Sequence, residues 1–460
     1  MTERSIVRRA RHSPYPLMSI EESHQIIANE CGKAHAVVVQ KTAGESMGYI
    51  LAEDVIAPAP HPPFRASIMD GYAVISVDGS GKRTVIGSAL AGLLTVSLMD
   101  ALCEISAANT QHSDAQSSTP TSLQSGECVR VTTGAPVPDS ADAVVKVEDT
   151  QLMESNETEE RMINISCEPK PGQDIRPVGC DIKQGECVIK KGTRILSGEI
   201  GILAMIGCQS VLVYDKPTVA VLSTGSELVP SRTQTTQLGQ IRDSNRPQLL
   251  ALFKSLGYDT FDCGCVTDDW TAISTALRNG LLNSDVLVTS GGVSMGEKDL
   301  LKDILTKELS FTIHFGRVLM KPGKPTTFAS GFVDGCQRPK FIFALPGNPV
   351  SAWVCAHVFV IPALRQLAGC DRVHWPIIKA TASCDMKLDP RPEYHRAVYE
   401  APSDGETLPV ALSTGSNQMS SRLTSTARAN LLIRLPPKTE EKQTVRKGEL
   451  VECLMIAQPD

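Results

Sequence analysis

No uncharged apolar run in this sequence is long enough to cross a bilayer, so a helical transmembrane protein is not expected. A surplus of basic residues is missing too. With a formal net charge of −6, non-specific nucleic-acid binding is excluded and any anion site must be local. C-x-x-C is absent: the fourteen cysteines are scattered, and Cys263-Gly264-Cys265 is their only close pair. That excludes paired metal-ligand spacing and points to reduced thiols in a cytoplasmic protein. The N-terminus is basic at Arg4, Arg8, Arg9 and Arg11 but lacks an apolar h-region, so it is not a secretory signal. A disordered tail over 1–13 is expected; an Arg-rich mitochondrial presequence is the alternative, although Glu3 interrupts its basic character. Neither a Walker A loop nor a GxGxxG fingerprint occurs.

What is present is a chain of 460 residues with 42% apolar and 21% charged residues, a soluble globular composition with room for two to four domains. Ser19-Ile20-Glu21-Glu22 reads as a capping box opening a helix that runs towards Cys31. Pro58 to Phe64 is too proline-rich for helix and reads as an extended connector between domains. Short β-prone runs follow at Tyr72–Val77, Cys128–Thr132, Ala143–Val147 and Met162–Ile165. Between them, Ser106–Ser125 is low in apolar residues and rich in Ser, Thr and Gln, as a disordered loop would be.

From Lys216 the pattern changes to alternating apolar strands and amphipathic helices. Strands are expected at Thr218–Leu222, Thr260–Val266, Val286–Thr289 and Phe341–Leu345. Helices are expected from Pro247 to Leu256, through Ile273, Leu277 and Leu281, through Leu301, Ile304 and Leu305, and from Val350 to about Leu367. Repeated βα units imply a doubly wound parallel sheet with helices on both faces. After Asp371 the chain turns β-prone again, with proline-rich breaks at 389–392 and 435–438.

Three strands of the α/β region end in glycine-rich segments: Ser223-Thr224-Gly225, Ser290-Gly291-Gly292-Val293-Ser294 and Pro346-Gly347-Asn348-Pro349. Loops at the carboxyl ends of parallel strands form the ligand crevice of such sheets. The Ser290–Ser294 loop precedes Ser294-Met295-Gly296-Glu297, a capping sequence, and helix N-terminal donors favour a phosphate. A tight turn in which glycine only relieves sterics reads equally well. Lys321-Pro322-Gly323-Lys324-Pro325 places two ammonium groups on a stiff loop, suited to a compact oxyanion or else simply solvated. Carboxylates accompany the loops at Glu227, Asp268 and Asp299, of the type that hold a divalent cation bridging phosphates; helix capping is the plainer reading of Asp268 and Asp299. Asp70-Gly71 alone reads as a turn.

Taken together these segments resemble the MoeA proteins of bacteria and the E domain of gephyrin. The resemblance rests on 62–74, 130–136, 172–177, 241–246, 289–299, 320–328, 345–352 and 418–422; Ser13-Pro14-Tyr15-Pro16-Leu17 and 387–396 are worded most like the animal gephyrin branch. It implies a MogA-like α/β domain over 214–371, a β-rich domain over 61–167, a discontinuous elongated domain over 14–60 and 168–213, and a C-terminal β domain over 372–460. The activity implied is the insertion of molybdate into adenylylated molybdopterin with release of AMP, assisted by Mg2+ or another divalent cation. Adenylylation would fall to a separate G-domain protein or region.

Carried over motif by motif, Lys321, Lys324, Pro325, Arg396 and Ser425 look like the molybdate site, with Arg317 nearby. Asp268, Asp299 and Glu227 look like the metal and catalytic acids. Ser223, Gly225, Ser290, Gly291, Gly292, Ser294, Gly347 and Asn348 would hold the pterin phosphates. Asp70 and Asp181 resemble acids that a partner subunit supplies in a homodimer with shared sites. Two departures stand out: Ser226 replaces an acidic residue common before Glu227, and Ser106–Ser125 lengthens a loop. Two other readings are carried. Gephyrin also binds receptor peptides, and Tyr15 sits where it uses an aromatic residue for that contact, although a tether packed on the protein body explains Tyr15 as well. A general nucleotide-binding enzyme explains the glycine loops but not Lys321, Lys324, Arg396 and Ser425 together.

Overall fold

The computed structural model describes residues 15–33, 36–91, 122–157, 159–292, 300–402, 408–415 and 418–459. The chain forms two compact units, one of Met1–Glu53, Gly192–Ser197 and Ser210–Asp460, the other of Asp54–Lys191 and Gly198–Gln209.

The larger unit is built on a six-stranded sheet. Its order is Thr260–Val266, Val219–Thr224, Val286–Ser290, Lys340–Leu345, Thr327–Gly331, Thr312–Phe315. Alternation along each central strand divides the side chains between two layers. Val219, Val221, Val286, Val288, Phe341 and Phe343 pack with Leu249, Phe253, Val350 and Phe359 on one face. On the other, Ala220, Leu222, Leu287 and Ile342 meet Ile273, Leu277, Leu281, Leu301, Ile304 and Leu305. The expected helices therefore cover both faces. The sheet itself is mixed rather than parallel throughout. Four strands run parallel, but Thr327–Gly331 lies antiparallel to Lys340–Leu345, and Thr312–Phe315 antiparallel to Thr327–Gly331. Only residues 332–339 join Thr327–Gly331 to Lys340–Leu345. A connection that short cannot make a parallel crossover, so the edge must fold back.

Ser19 and Glu22 close the anticipated capping box: the Glu22 amide donates to Ser19 Oγ at 3.1 Å and the Ser19 amide to Glu22 Oε2 at 2.8 Å. The helix Ile20–Lys33 follows, seating Ile27 and Cys31 in the core. The Asn245–Ser255 helix ends at Gly257, whose φ of +77° suits the residue without a side chain. The helix Pro349–Leu367, with a π turn at Ala356–Val360, is long and apolar enough by composition to cross a membrane, but 83% of its apolar window is buried inside the protein.

C-terminal to this sheet, Ile377–Ala382, Val410–Ser413, Glu393–Glu400, Leu431–Leu435 and Leu450–Met455 form a closed barrel around Ala397, Leu431, Ile433 and Cys453. A three-stranded sheet pairs Val38–Thr42 and Ile50–Leu51 with Ser210–Tyr214.

The smaller unit carries a second six-stranded sheet, including Gly71–Val74, Glu127–Val131, Ala143–Lys146 and Glu160–Ile165. The first strand ends before Val77, because the chain turns into a short 3-10 segment at Ser76–Asp78, where Asp142 accepts from the Ser76 amide at 2.6 Å. Residues 58–64 are non-helical as expected but have both neighbours in this same unit. The expected disordered tail at 1–13 and residues 106–121 of the expected disordered loop 106–125 lie outside the described residues, but the loop's last four residues are anchored: Leu123 is buried and its amide donates to Ser140 Oγ at 2.6 Å. No disulfide links any of the thirteen cysteines among the described residues.

Candidate functional site

Parallel register places Ser223 beside Ser290 and Ser290 beside Leu345. The three glycine-rich loops therefore leave the sheet at one level. Thr224–Leu228, Ile241–Asn245, Ser290–Gly292 and Pro346–Pro349 line a cleft of about 1070 Å³, with Asp268, Pro325, Ser421 and Leu423. Gly292, Gly347 and Asn348 stand on its wall.

Not all of the anticipated phosphate ligands are free to act as such. The Gly225 amide donates to Val266 O at 3.1 Å and the Gly291 amide to Leu345 O at 3.1 Å. A Cβ on Gly291, at φ +93°, would lie 2.2 Å from Thr224 O. Gly291 thus lets two strand ends pack closely, whereas a Cβ on Gly225 would lie 2.8 Å from the Glu227 carboxylate; both glycines line the cleft. Ser223 is fully buried and gives its hydroxyl to Asp243 Oδ1 at 2.9 Å. It supports the wall without forming it.

That bond belongs to a network sequence reasoning missed. Asp243, 1% exposed, also accepts from Arg246 Nε at 2.8 Å, and Arg246 Nη1 reaches Asp262 Oδ1 at 2.7 Å. Burial opposes the Arg246 charge, but its bonds to the two aspartates outweigh it and raise its pKa. Asn245 Nδ2 donates to Ser290 Oγ at 2.6 Å and to Gly347 O at 2.7 Å, tying two loops together. The signal was the run Asp243-Ser244-Asn245 at a helix start, where capping residues concentrate.

At the lip of the cleft, Glu227 and Asp268 are exposed carboxylates. Asp268 Oδ2 accepts from the Ser226 amide at 3.3 Å, and the Asp268 amide donates to Ser226 Oγ at 3.1 Å. Ser226 thus braces Asp268, while Asp269, not Asp268, caps the Trp270–Leu282 helix through the Ala272 amide. Asp299 and Ser294 lie outside the described residues. Among the described residues no group of three or more potential metal ligands converges.

Arg396 is fully buried on the Glu393–Glu400 strand. Its Nε and Nη2 donate to Ser425 Oγ at 3.2 and 3.1 Å, and its buried Nη1 has no partner among the described residues. Burial lowers its pKa to about 10, which leaves it charged at neutral pH, with Glu393 acting in the opposite direction. Arg317 Nε is likewise buried and has no partner among the described residues. The Lys321–Pro325 loop divides its residues. Pro325 lines the main cleft. Lys321 lines a separate cavity of about 470 Å³ with Glu393, His395, Gln418 and Met419. Its ammonium is held by carboxylates, 2.9 Å from Glu393 Oε2 and 3.4 Å from Asp389 Oδ2, and so does not stand free for a target. Lys324 is half-buried, and no ion pair forms on it among the described residues.

In the smaller unit Asp70 is exposed and accepts from the Thr133 amide at 2.6 Å, which holds its carboxyl below the usual range. Asp181 is exposed and paired with Arg176, with the same effect. Tyr15 belongs to the larger unit. Its ring lies against Gly316, where an added Cβ would come within 2.9 Å, and the Lys302 ammonium sits 5.2 Å from its centroid.

Comparison with known proteins agrees with this architecture. Residues 18–207 match the MoeA N-terminal region (domain I and II), 220–366 the probable molybdopterin binding domain, and 379–456 the MoeA C-terminal region (domain IV). Gephyrin of Dictyostelium discoideum is 36% identical over 97% of this chain and 63% of its own length. The molybdenum cofactor synthesis protein cinnamon of Drosophila melanogaster is 38% identical over 97% and 67%. The chain thus spans about two thirds of these longer relatives. A molybdopterin molybdenumtransferase of Staphylococcus epidermidis is 33% identical over 95% of this chain and 97% of its own. The solved structure of the molybdopterin biosynthesis MoeA protein of Pyrococcus horikoshii superposes with a TM-score of 0.74 at 26% identity, covering 96% of this chain and all of that one.

Proposed function

The chain belongs to the MoeA family, and from that membership we propose that it is a molybdopterin molybdenumtransferase, joining molybdate to adenylylated molybdopterin with release of AMP. The observation that carries this reading is Arg396. A guanidinium taken wholly out of water, anchored by Ser425 and, among the described residues, left with an unused donor at Nη1, is costly unless an anion completes it. A tetrahedral dianion suits that donor, and Lys321, Lys324, Pro325 and Arg317 complete its surroundings in this reading.

The pterin and its phosphates would lie in the main cleft against Gly292, Gly347 and Asn348, backed by the Asn245 and Asp243 networks. Glu227 and Asp268 are exposed oxygen donors of the kind that hold magnesium. With Asp299 they would hold Mg2+ or another divalent cation, whose charge favours cleavage of the phosphoanhydride. In this reading water would cleave that bond to leave AMP and the molybdopterin phosphate, and the two dithiolene sulfurs would then bond the molybdenum of molybdate held at Arg396, one molybdate oxygen leaving as water with the two thiol protons. Asp70 and Asp181 act on the site of a second copy in a homodimer.

The test supplies adenylylated molybdopterin, molybdate and magnesium to the purified protein. It follows AMP release and reconstitution of a cofactor-free molybdoenzyme, with Arg396→Ala alongside. Molybdate-dependent reconstitution lost in the variant is expected. A folded wild type without turnover would overturn the reading.

A further inference from the structure

The grip on Lys321 is built into the backbone. Lys321 and Glu393 are registered side by side in a parallel bridge: the Lys321 amide donates to Pro392 O and the Tyr394 amide to Lys321 O, each at 2.8 Å. Glu393 is 3% exposed, and a carboxylate buried to that degree needs a cation or a strong donor. Two neighbours could answer that need. His395 Nδ1 is 4.0 Å from Glu393 Oε1, but its Nε2 meets Ser413 Oγ at 2.7 Å, and Ser413 gives its own proton to Gly415 O at 3.0 Å. The ring therefore donates through Nε2 and turns a lone pair, not a proton, towards Glu393. Lys321 is left as the cation that neutralises Glu393. Asp389, the second carboxylate on Lys321, is shared with Arg391, whose Nε lies 2.9 Å from Asp389 Oδ1.

Glu393 and Arg396 fall on alternate faces of one strand. A Lys321 side chain paired with Glu393 is thus turned to the face opposite the unused Arg396 donor. Resting on the oxyanion reading above, we propose that Glu393 is a positioning residue for that site: an internal counter-ion that an oxyanion must displace before Lys321 joins Arg396. Glu393 then sets a threshold. A dianion able to draw on both cations overcomes it, whereas a weakly basic monoanion does not. A carboxylate inside an anion site is thus the part that makes it selective.

Isothermal titration of sodium molybdate into the full chain decides this, with CD to confirm folding. Glu393→Gln keeps the side-chain shape and removes the competing charge. It should tighten molybdate roughly five- to tenfold, the scale of losing one charge-assisted competitor. Glu393→Asp should return affinity towards wild type, and Lys321→Ala should abolish the gain in a Glu393→Gln background, because the effect runs through Lys321. Unchanged or weaker binding by folded Glu393→Gln would overturn the proposal, as would a gain that survives without Lys321. Should Glu393→Gln not fold, Asp389→Asn removes the more exposed carboxylate, and a tightening of roughly two- to threefold is expected, no change counting against the proposal. A folded wild type that takes up no molybdate removes the oxyanion reading itself, a result distinct from binding that Glu393 does not control.

Discussion

Asn245 holds Ser290 and, through the same amide nitrogen, the carbonyl of Gly347, so one side chain fixes the spacing of two loops that line the cleft. Replacing Asn245 by alanine removes the donor from the buried Ser290 hydroxyl and from the Gly347 carbonyl, at a cost of about 1–3 kcal/mol. A lower urea midpoint and weaker pterin binding are expected together. Full stability with weak binding would limit the residue to ligand contact.

Gly291→Ala should be among the most damaging single changes in the cleft. Its Cβ would meet Thr224 O at 2.2 Å, and its φ of +93° is foreign to alanine. A loss of about 2 kcal/mol or more is expected, read as a fall in thermal midpoint. Gly239→Ala is the matched control: it shares a positive φ of +87° but has open space around it.

Ser425→Ala leaves Nε and Nη2 of the buried Arg396 without their hydroxyl. The expected cost is about 1–3 kcal/mol in denaturant unfolding, with molybdate affinity falling in parallel. Arg396→Lys is not a rescue, since an ammonium cannot bond Ser425 and present a second donor in the same fork.

His357 is 2% exposed, packed between Trp353 and Trp375, and neither ring nitrogen has a partner among the described residues. Burial, then the charge of Arg365, lowers its pKa to about 3; burial does the same for His395. Both folded values lie below the unfolded value of about 6.5, so the unfolded chain takes up protons first. Stability is complete above pH ~6.5 and falls as the pH drops towards 3, by at most about 1.4 kcal/mol per pH unit for each ring. Urea midpoints at pH 7 and pH 5 measure the slope, and His357→Phe should flatten it.

Much of this molecule could be read from local chemistry. The Ser19 and Glu22 capping box, the strand Thr260–Val266 and the buried face of Ile273, Leu277 and Leu281 each follow from a few neighbouring residues, and each is present. The glycine loops meet at one cleft because strand order and register are shared by Ser223, Ser290 and Leu345. What could not be read is long-range. Thr312–Phe315 and Thr327–Gly331 are too short to announce their direction. Asp243 and Arg246 look like ordinary surface charges until Asp262 and Ser223 are brought to them. Lys321 looks like a free cation until a strand more than seventy positions away sets Glu393 against it.

The barrel is closed by its last strand, since Leu450–Met455 pairs with both Ile377–Ala382 and Leu431–Leu435. A premature stop that removes this strand would do more than shorten the tail. It would uncover two edges at once, each a template for sticking to another chain. Such truncations should therefore surface as insoluble or degraded protein rather than as impaired turnover, and the same strand is a poor place to fuse a reporter without a generous spacer.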